Sequence, residues 1–241
     1  LTALVFAVAT FVSTVLGGLF ALHRRQHIYL VMGFASGILV TTALVDLLPH
    51  ALALGGPVSA SRVLVDAALG FLGFYALDRL VHHGAAGHKD HAERIFGGIG
   101  ALGLTIHSLL DGVAIGGAFR ASRSIGVIVG AAVLAHDFGD GVSTVGFVLG
   151  SRAALRASVA WLLADAIAPV LGVWAASWAA IPPHLVGHLL GFCAGSFIFI
   201  GAAHMLPEAA QHGNRRWLGI LVAAGSGLVF AVTRLAEAEV R

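Results

Sequence analysis

The sequence predicts an all-α integral membrane protein of eight transmembrane helices, with helices 1–3 and helices 6–8 forming an inverted repeat around a central pair, helices 4 and 5. Three observations predict it. Of 241 residues, 58% are hydrophobic and only 11% are charged. A soluble domain carries roughly 25% charged residues and has no interior large enough for such an excess of apolar surface. The apolar residues come in eight continuous runs, each long enough for a bilayer crossing, which takes ~20 residues. Two short blocks recur at one offset in the second and seventh of those runs.

The runs are, in order, Leu4–Leu22, Ile28–Leu54, Val63–Val81, Ile95–Phe119, Ile125–Leu149, Leu155–Trp178, His184–Ala210 and Trp217–Leu235. None alternates apolar with polar residues, which argues against a membrane β-barrel. The chain starts at Leu rather than Met, so native residues are expected to precede it. The first run is too long and wrongly flanked for a signal peptide and is taken as a true span. The short link Arg120–Ser124 makes helices 4 and 5 adjacent and antiparallel. The 32 glycines suit close helix–helix approach in lipid. The whole chain, 1–241, is expected to be one transmembrane domain, with a His-rich cytoplasmic loop at 82–94 between helices 3 and 4.

Charge narrows the field further. The 14 Lys and Arg residues, a formal net charge of +2, are scattered in ones and twos, so no basic stripe exists and nucleic acid is not an expected partner. Cys193 is the single cysteine and can form neither an intrachain disulfide nor a thiolate metal site alone. Loops 1–2, 3–4, 5–6 and 7–8 hold nine of the basic residues and the opposite side five. The positive-inside rule then puts both termini outside.

The repeat is legible as Gly33-Phe34-Ala35-Ser36-Gly37 against Gly191-Phe192-Cys193-Ala194-Gly195. At the same offset, Leu47-Leu48-Pro49-His50-Ala51 answers Met205-Leu206-Pro207-Glu208-Ala209. Helices 2 and 7 run in opposite directions by the topology above. Inverted repeats mark secondary transporters, whose sites lie at the midplane between the halves.

Eight of the twelve Asp and Glu residues fall inside the runs, while every Arg and the one Lys sit in loops or at helix ends. A charge at the bilayer centre costs about 2.5–3.5 kcal/mol even on the lenient insertion scale. Asp111, Asp137, Asp140 and Asp165 therefore need neutralisation by protons, buried water or a bound cation. Helix 4 reads His107-Ser108-Leu109-Leu110-Asp111-Gly112 and helix 5 reads His136-Asp137-Phe138-Gly139-Asp140-Gly141. Each His-x-x-x-Asp puts both side chains on one helix face. On neighbouring helices at one depth, His107, Asp111, His136 and Asp140 would offer two imidazoles and two carboxylates, a donor set suited to Zn²⁺ and related ions. Ser108, Asp137 and Asp165 would add a second site sharing Asp111 and Asp140. Two plainer arrangements stay open: interhelical hydrogen-bonded pairs, and an Asp165 that bonds backbone groups freed by Pro169.

At these residues the sequence resembles the ZIP family of divalent metal transporters. His107-Ser108-Leu109-Leu110-Asp111-Gly112-Val113-Ala114-Ile115-Gly116 is similar to the family's helix-4 pattern His-Asn-x-x-Asp/Glu-Gly-x-Ala-x-Gly, and the helix-5 block to its His/Gln-Asp/Glu/Asn-x-Pro-Glu-Gly form. The Leu-Pro endings of helices 2 and 7 match as well. The resemblance implies a primary site at His107, Asp111, His136 and Asp140 and an adjacent one at Ser108, Asp137 and Asp165 with the shared carboxylates. Ser108 stands where the family has Asn, Gly139 where it has Pro, and Asp140 where Glu is commoner. A second alignment of helix 5, on the family's His-Glu-Leu-Gly-Asp stretch, shifts the register by a turn, and alignment on Pro169 puts the family's helix-6 acid at Ala168.

The resemblance implies uptake of a divalent transition metal into the cytoplasm across a bacterial cytoplasmic membrane, by a homodimer, with helices 1, 4, 5 and 6 moving elevator-fashion against 2, 3, 7 and 8. Zn²⁺ leads as substrate, with Cd²⁺, Fe²⁺, Mn²⁺ and Co²⁺ open; no catalytic cofactor is expected. Asp46 and His50 would form the entrance, and His204, Glu208 and His212 the exit. In the loop, His82, His83, His88 and His91 would collect released metal or belong to a plain solvated linker. Asp78 would pair with His82, Asp66 would be interfacial, and His23, His27, His184 and His188 would be surface or interface residues rather than ligands. The competing readings are an intramembrane zinc hydrolase acting on a lipid, and a proton-coupled carrier of another solute.

Overall fold

The computed structural model describes residues 2–55, 60–84, 89–178, 182–212 and 215–238. Eight helices account for nearly all of them: α1 Thr2–His23, α2 Arg25–Leu54, α3 Ala60–Gly84, α4 Lys89–Ala121, α5 Arg123–Gly150, α6 Leu155–Trp178, α7 Pro183–His212 and α8 Arg215–Ala238. Each contains one of the eight apolar runs, and no strand occurs among the described residues.

The expected loop 82–94 is corrected. α3 continues to Gly84 and α4 already begins at Lys89, so His82 and His83 end one helix and His91 starts the next, while His88 lies outside the described residues. Lys89-Asp90-His91-Ala92-Glu93-Arg94 holds good helix formers, with Asp90 in the first turn where the helix dipole favours an acid. Its polarity fits a loop, but the segment forms the first turns of α4, with Asp90, His91 and Arg94 exposed and Ala92 buried.

α2 and α7 each widen into a π-helical stretch, at Thr42–Leu47 and Phe199–Met205, with Leu48 N–H bonding Ala43 O and Leu206 N–H bonding Gly201 O. The cause is Pro49 and Pro207, two residues into the following α-turns. A proline ring clashes with the carbonyl four residues back, here Val45 and Ala203, and both lie inside the widened stretches. Such bulges re-aim side chains. Asp46 and His204 sit on these two.

The helices pack through four reciprocal glycine contacts. A Cβ at Gly141 of α5 would sit on the carbonyl oxygen of Thr14 in α1, and one at Gly17 would sit on that of Phe138. The same relation, each glycine against the carbonyl three residues before its partner, joins Gly112 with Gly172 (α4 and α6), Gly37 with Gly225 (α2 and α8) and Gly70 with Gly195 (α3 and α7). Close backbone approach of this kind drives helix association in lipid. The α1/α5 contact thus reappears as α6/α4, and α2/α8 as α7/α3, which is the inverted repeat in structural form. It also sorts the helices into two units, α1, α4, α5, α6 and α2, α3, α7, α8, which meet mainly where α2 and α8 touch α5. Large apolar side chains of α1, α3 and α8, such as Leu16, Leu72 and Ile220, point outward, as a lipid-facing surface requires.

Candidate metal centre

α4 and α5 are joined by a tight link in which Ser122 caps α5, its Oγ accepting from Ile125 N at 3.1 Å. The two helices pack side by side, so the pairs His107/Asp111 and His136/Asp140 meet at one depth. His107 Nε2 lies 3.2 Å from Asp111 Oδ2, His136 Nε2 lies 3.1 Å from the same oxygen and 3.8 Å from Asp140 Oδ2. One ligand atom from each of the four lies within 4.8 Å of all the others, and all four residues are buried. Among the described residues, His107 Nδ1 and both carboxylate oxygens of Asp140 have no hydrogen-bond partner, and the 3.2 Å approach of His107 Nε2 to Asp111 lacks hydrogen-bond geometry. Buried polar atoms are seldom left so, and a cation at their common centre would satisfy them together. Among the described residues no lysine or arginine pairs with Asp111, Asp137, Asp140 or Asp165.

The three residues expected to build a second site do not converge in the same way. Asp165 accepts from Ser108 Oγ at 2.6 Å and from Thr144 Oγ1 at 2.7 Å. Asp137 is fully buried, with the Thr10 side chain of α1 beside it. Neither joins the four-residue cluster, the group of three or more His, Cys, Asp or Glu residues whose ligand atoms lie close enough to share an ion among the described residues.

Asp46 reaches the centre from α2. Its Oδ2 is 3.5 Å from His136 Nδ1, and its Oδ1 is 3.0 Å from Nδ1 of the exposed His50. A cavity of about 540 Å³ runs inward from Leu54, Arg120, Ile125 and Pro183, at the helix ends on the face that carries the termini, to Asp111 and His136. On the other side of the centre the way is filled. Phe197 meets His107 edge-on at 5.0 Å, and His204 lies 4.7 Å from the ring of Phe96 and 5.5 Å from that of Phe147. All three phenylalanines are under 2% exposed.

The residues expected at the exit divide. His204 faces Asp78 of α3 at 3.6 Å and Glu93 of α4 at 3.7 Å, so it bridges the two helix units. Glu208 and His212 form a separate pair, 3.3 Å apart, with Tyr29 stacked on the His212 ring at 4.8 Å. Of the loop histidines, His83 and His91 are exposed. Glu93 lies in a polar stretch that reads as loop, and the helical start of α4 is what brings it to His204. Thr144, one helical turn past Asp140, carries no charge that would mark it in the sequence as the partner of Asp165. Asp66, expected as interfacial, and His188, expected as a surface or interface residue, form a close pair at 2.5 Å between α3 and α7.

Comparison with known proteins adds a family. Residues 85–233 match the family model described as ZIP Zinc transporter. The Zinc transporter ZupT of Enterobacter sp. (strain 638) is 25% identical over 216 residues, covering 84% of this chain and 83% of the relative. The proteins of that name from Escherichia coli O7:K1 (strain IAI39 / ExPEC) and Escherichia coli (strain K12 / DH10B) are 24% identical over 218 residues at the same coverage.

Proposed function

The chain belongs to the ZIP zinc transporter family, and from that premise we propose that it carries a divalent transition-metal ion, zinc foremost, into the cytoplasm through the cluster of His107, Asp111, His136 and Asp140. It is a transporter, not an enzyme, which removes the lipid hydrolase reading. The observation that carries the site is the convergence of four buried ligand atoms, two nitrogen and two oxygen, from two adjacent helices. Imidazole and carboxylate together suit Zn²⁺, while Cd²⁺, Fe²⁺, Mn²⁺ and Co²⁺ remain within reach of the same donor set.

The steps follow from what each residue offers. The termini face is the outer face of a bacterial cytoplasmic membrane, as the Lys and Arg distribution supports. An ion enters the cavity, and His50 and Asp46 begin to replace its water. Asp46 stands beside His136, so the ion passes to the centre without crossing a purely apolar gap. There two carboxylates offset its charge where burying it alone would be prohibitive. Release requires the phenylalanines beneath the centre to part, after which His204 with Asp78 and Glu93, then Glu208 with His212, offer successive weak holds. Movement of the α1, α4, α5, α6 unit against α2, α3, α7, α8 is supported by the way the glycine contacts fall within units, and pairing of two copies by family resemblance alone.

The test is uptake of zinc by sealed proteoliposomes carrying a zinc-sensing dye. Saturable uptake by the wild type and none by the His136→Ala/Asp140→Ala double variant is expected; uptake by the double variant at the wild-type rate refutes the assignment.

A further inference from the structure

Asp165 closes a bridge between the two helices that carry the proposed ligands. Its Oδ1 accepts from Ser108 Oγ at 2.6 Å and its Oδ2 from Thr144 Oγ1 at 2.7 Å. All three side chains are buried, Asp165 and Thr144 completely. Ser108 adjoins His107 on α4, Thr144 lies one turn past Asp140 on α5, and Asp165 itself comes from α6. A hydroxyl has one proton to give. Ser108 Oγ also lies 3.2 Å from Leu104 O, but the shorter contact, to a carboxylate, is the stronger claim on that proton. Both Asp165 oxygens are thus held by hydroxyl donors, one on each ligand-bearing helix, and Asp165 stands outside the convergent four-residue cluster. Asp137 stands outside that cluster as well, so neither acid adds its oxygens to the four ligand atoms that converge.

We propose that the centre takes a single divalent ion, and that Asp165 is a positioning residue rather than a ligand. Through Asp165, Thr144 and Ser108 hold α4 and α5 at the spacing that brings His107 and Asp111 within reach of His136 and Asp140, and that spacing selects the ion by size. This rests on the metal reading above. Ligand distances in such sites are set to within a few tenths of an ångström, so a small slip of α4 against α5 is enough to favour the larger Cd²⁺ over Zn²⁺. Partners behind the ligands commonly change metal affinity or activity 10–100-fold when removed.

The experiment pairs cadmium-soaked crystals with initial rates of zinc and cadmium uptake by the wild type, Thr144→Val, Thr144→Ser and Ser108→Ala, with unfolding midpoints recorded for each. One anomalous cadmium peak among the four ligands is expected. KM for zinc should rise about ten-fold or more in Thr144→Val and in Ser108→Ala, with a shift in preference toward cadmium, midpoints near wild type, and recovery in Thr144→Ser. Three results overturn the inference: a second peak bonded to Asp165, unchanged KM and preference in both hydroxyl-removing variants, or zinc and cadmium uptake falling together in step with lost stability. A second peak beside an intact first one defeats this inference alone. No peak at the four residues defeats the metal reading as well.

Discussion

His136 Nε2 on α5 stands 3.1 Å from Asp111 Oδ2 on α4, a contact between residues twenty-five positions apart that places the functional faces of two helices against each other. His136 turns its other nitrogen to Asp46. One imidazole therefore touches both the Asp46 end of the cavity and the centre itself.

Asp46 should govern capture. It lies between the exposed His50 and the buried His136, so its charge draws cations down the cavity. Asp46→Asn is expected to raise KM for zinc on the order of ten-fold at low ionic strength, less in high salt, with Vmax little changed. Initial uptake rates across zinc concentrations at two salt levels check this.

The cavity opens toward the termini face and ends at the centre. With Ala132→Cys on its wall, a membrane-impermeant thiol reagent added outside should label that position rapidly. The native Cys193, 5% exposed, should stay unlabelled. Mass spectrometry of the intact chain counts the adducts.

On the far side, His204 should govern release. It is not among the residues that line the cavity, yet it bridges Asp78 and Glu93 and lies against Phe96 and Phe147. His204→Ala is expected to lower Vmax with KM near wild type, the reverse of the Asp46 variant, in the same rate measurements.

The glycine contacts predict a contrast within one helix. A Cβ at Gly225 would collide with the Phe34 carbonyl, while one at Gly227 meets nothing within 4 Å. Gly225→Ala should lose about 1–3 kcal/mol to overpacking, and Gly227→Ala should be neutral or slightly stabilising. Thermal unfolding in detergent separates the two.

Much of this was legible in the sequence because a membrane protein displays its constraints in composition. Eight apolar runs became eight helices, and the repeat between helices 2 and 7 extended to the glycine contacts of all eight. The His-x-x-x-Asp pairs read from helical spacing do meet, since a short capped link leaves α4 and α5 no other relation. The π-helical stretches were not foreseen: a proline signals disturbance, but whether the helix kinks or widens depends on packing. Glu93 was hidden by its polar neighbours, which look the same in a loop and in the first turn of a helix. Partners such as Asp66 with His188, or Asp165 with Thr144, come from helices whose rotation about their axes no local pattern specifies.

The most direct measurement is anomalous scattering at the zinc absorption edge from crystals grown with zinc. The expected result is a single zinc ion with His107, Asp111, His136 and Asp140 at roughly 2.0–2.2 Å, and with the present 3.1 Å contact between His136 and Asp111 replaced by bonds to the metal. A zinc-saturated crystal in which those two side chains still bond each other, and in which no zinc lies among the four, would contradict it.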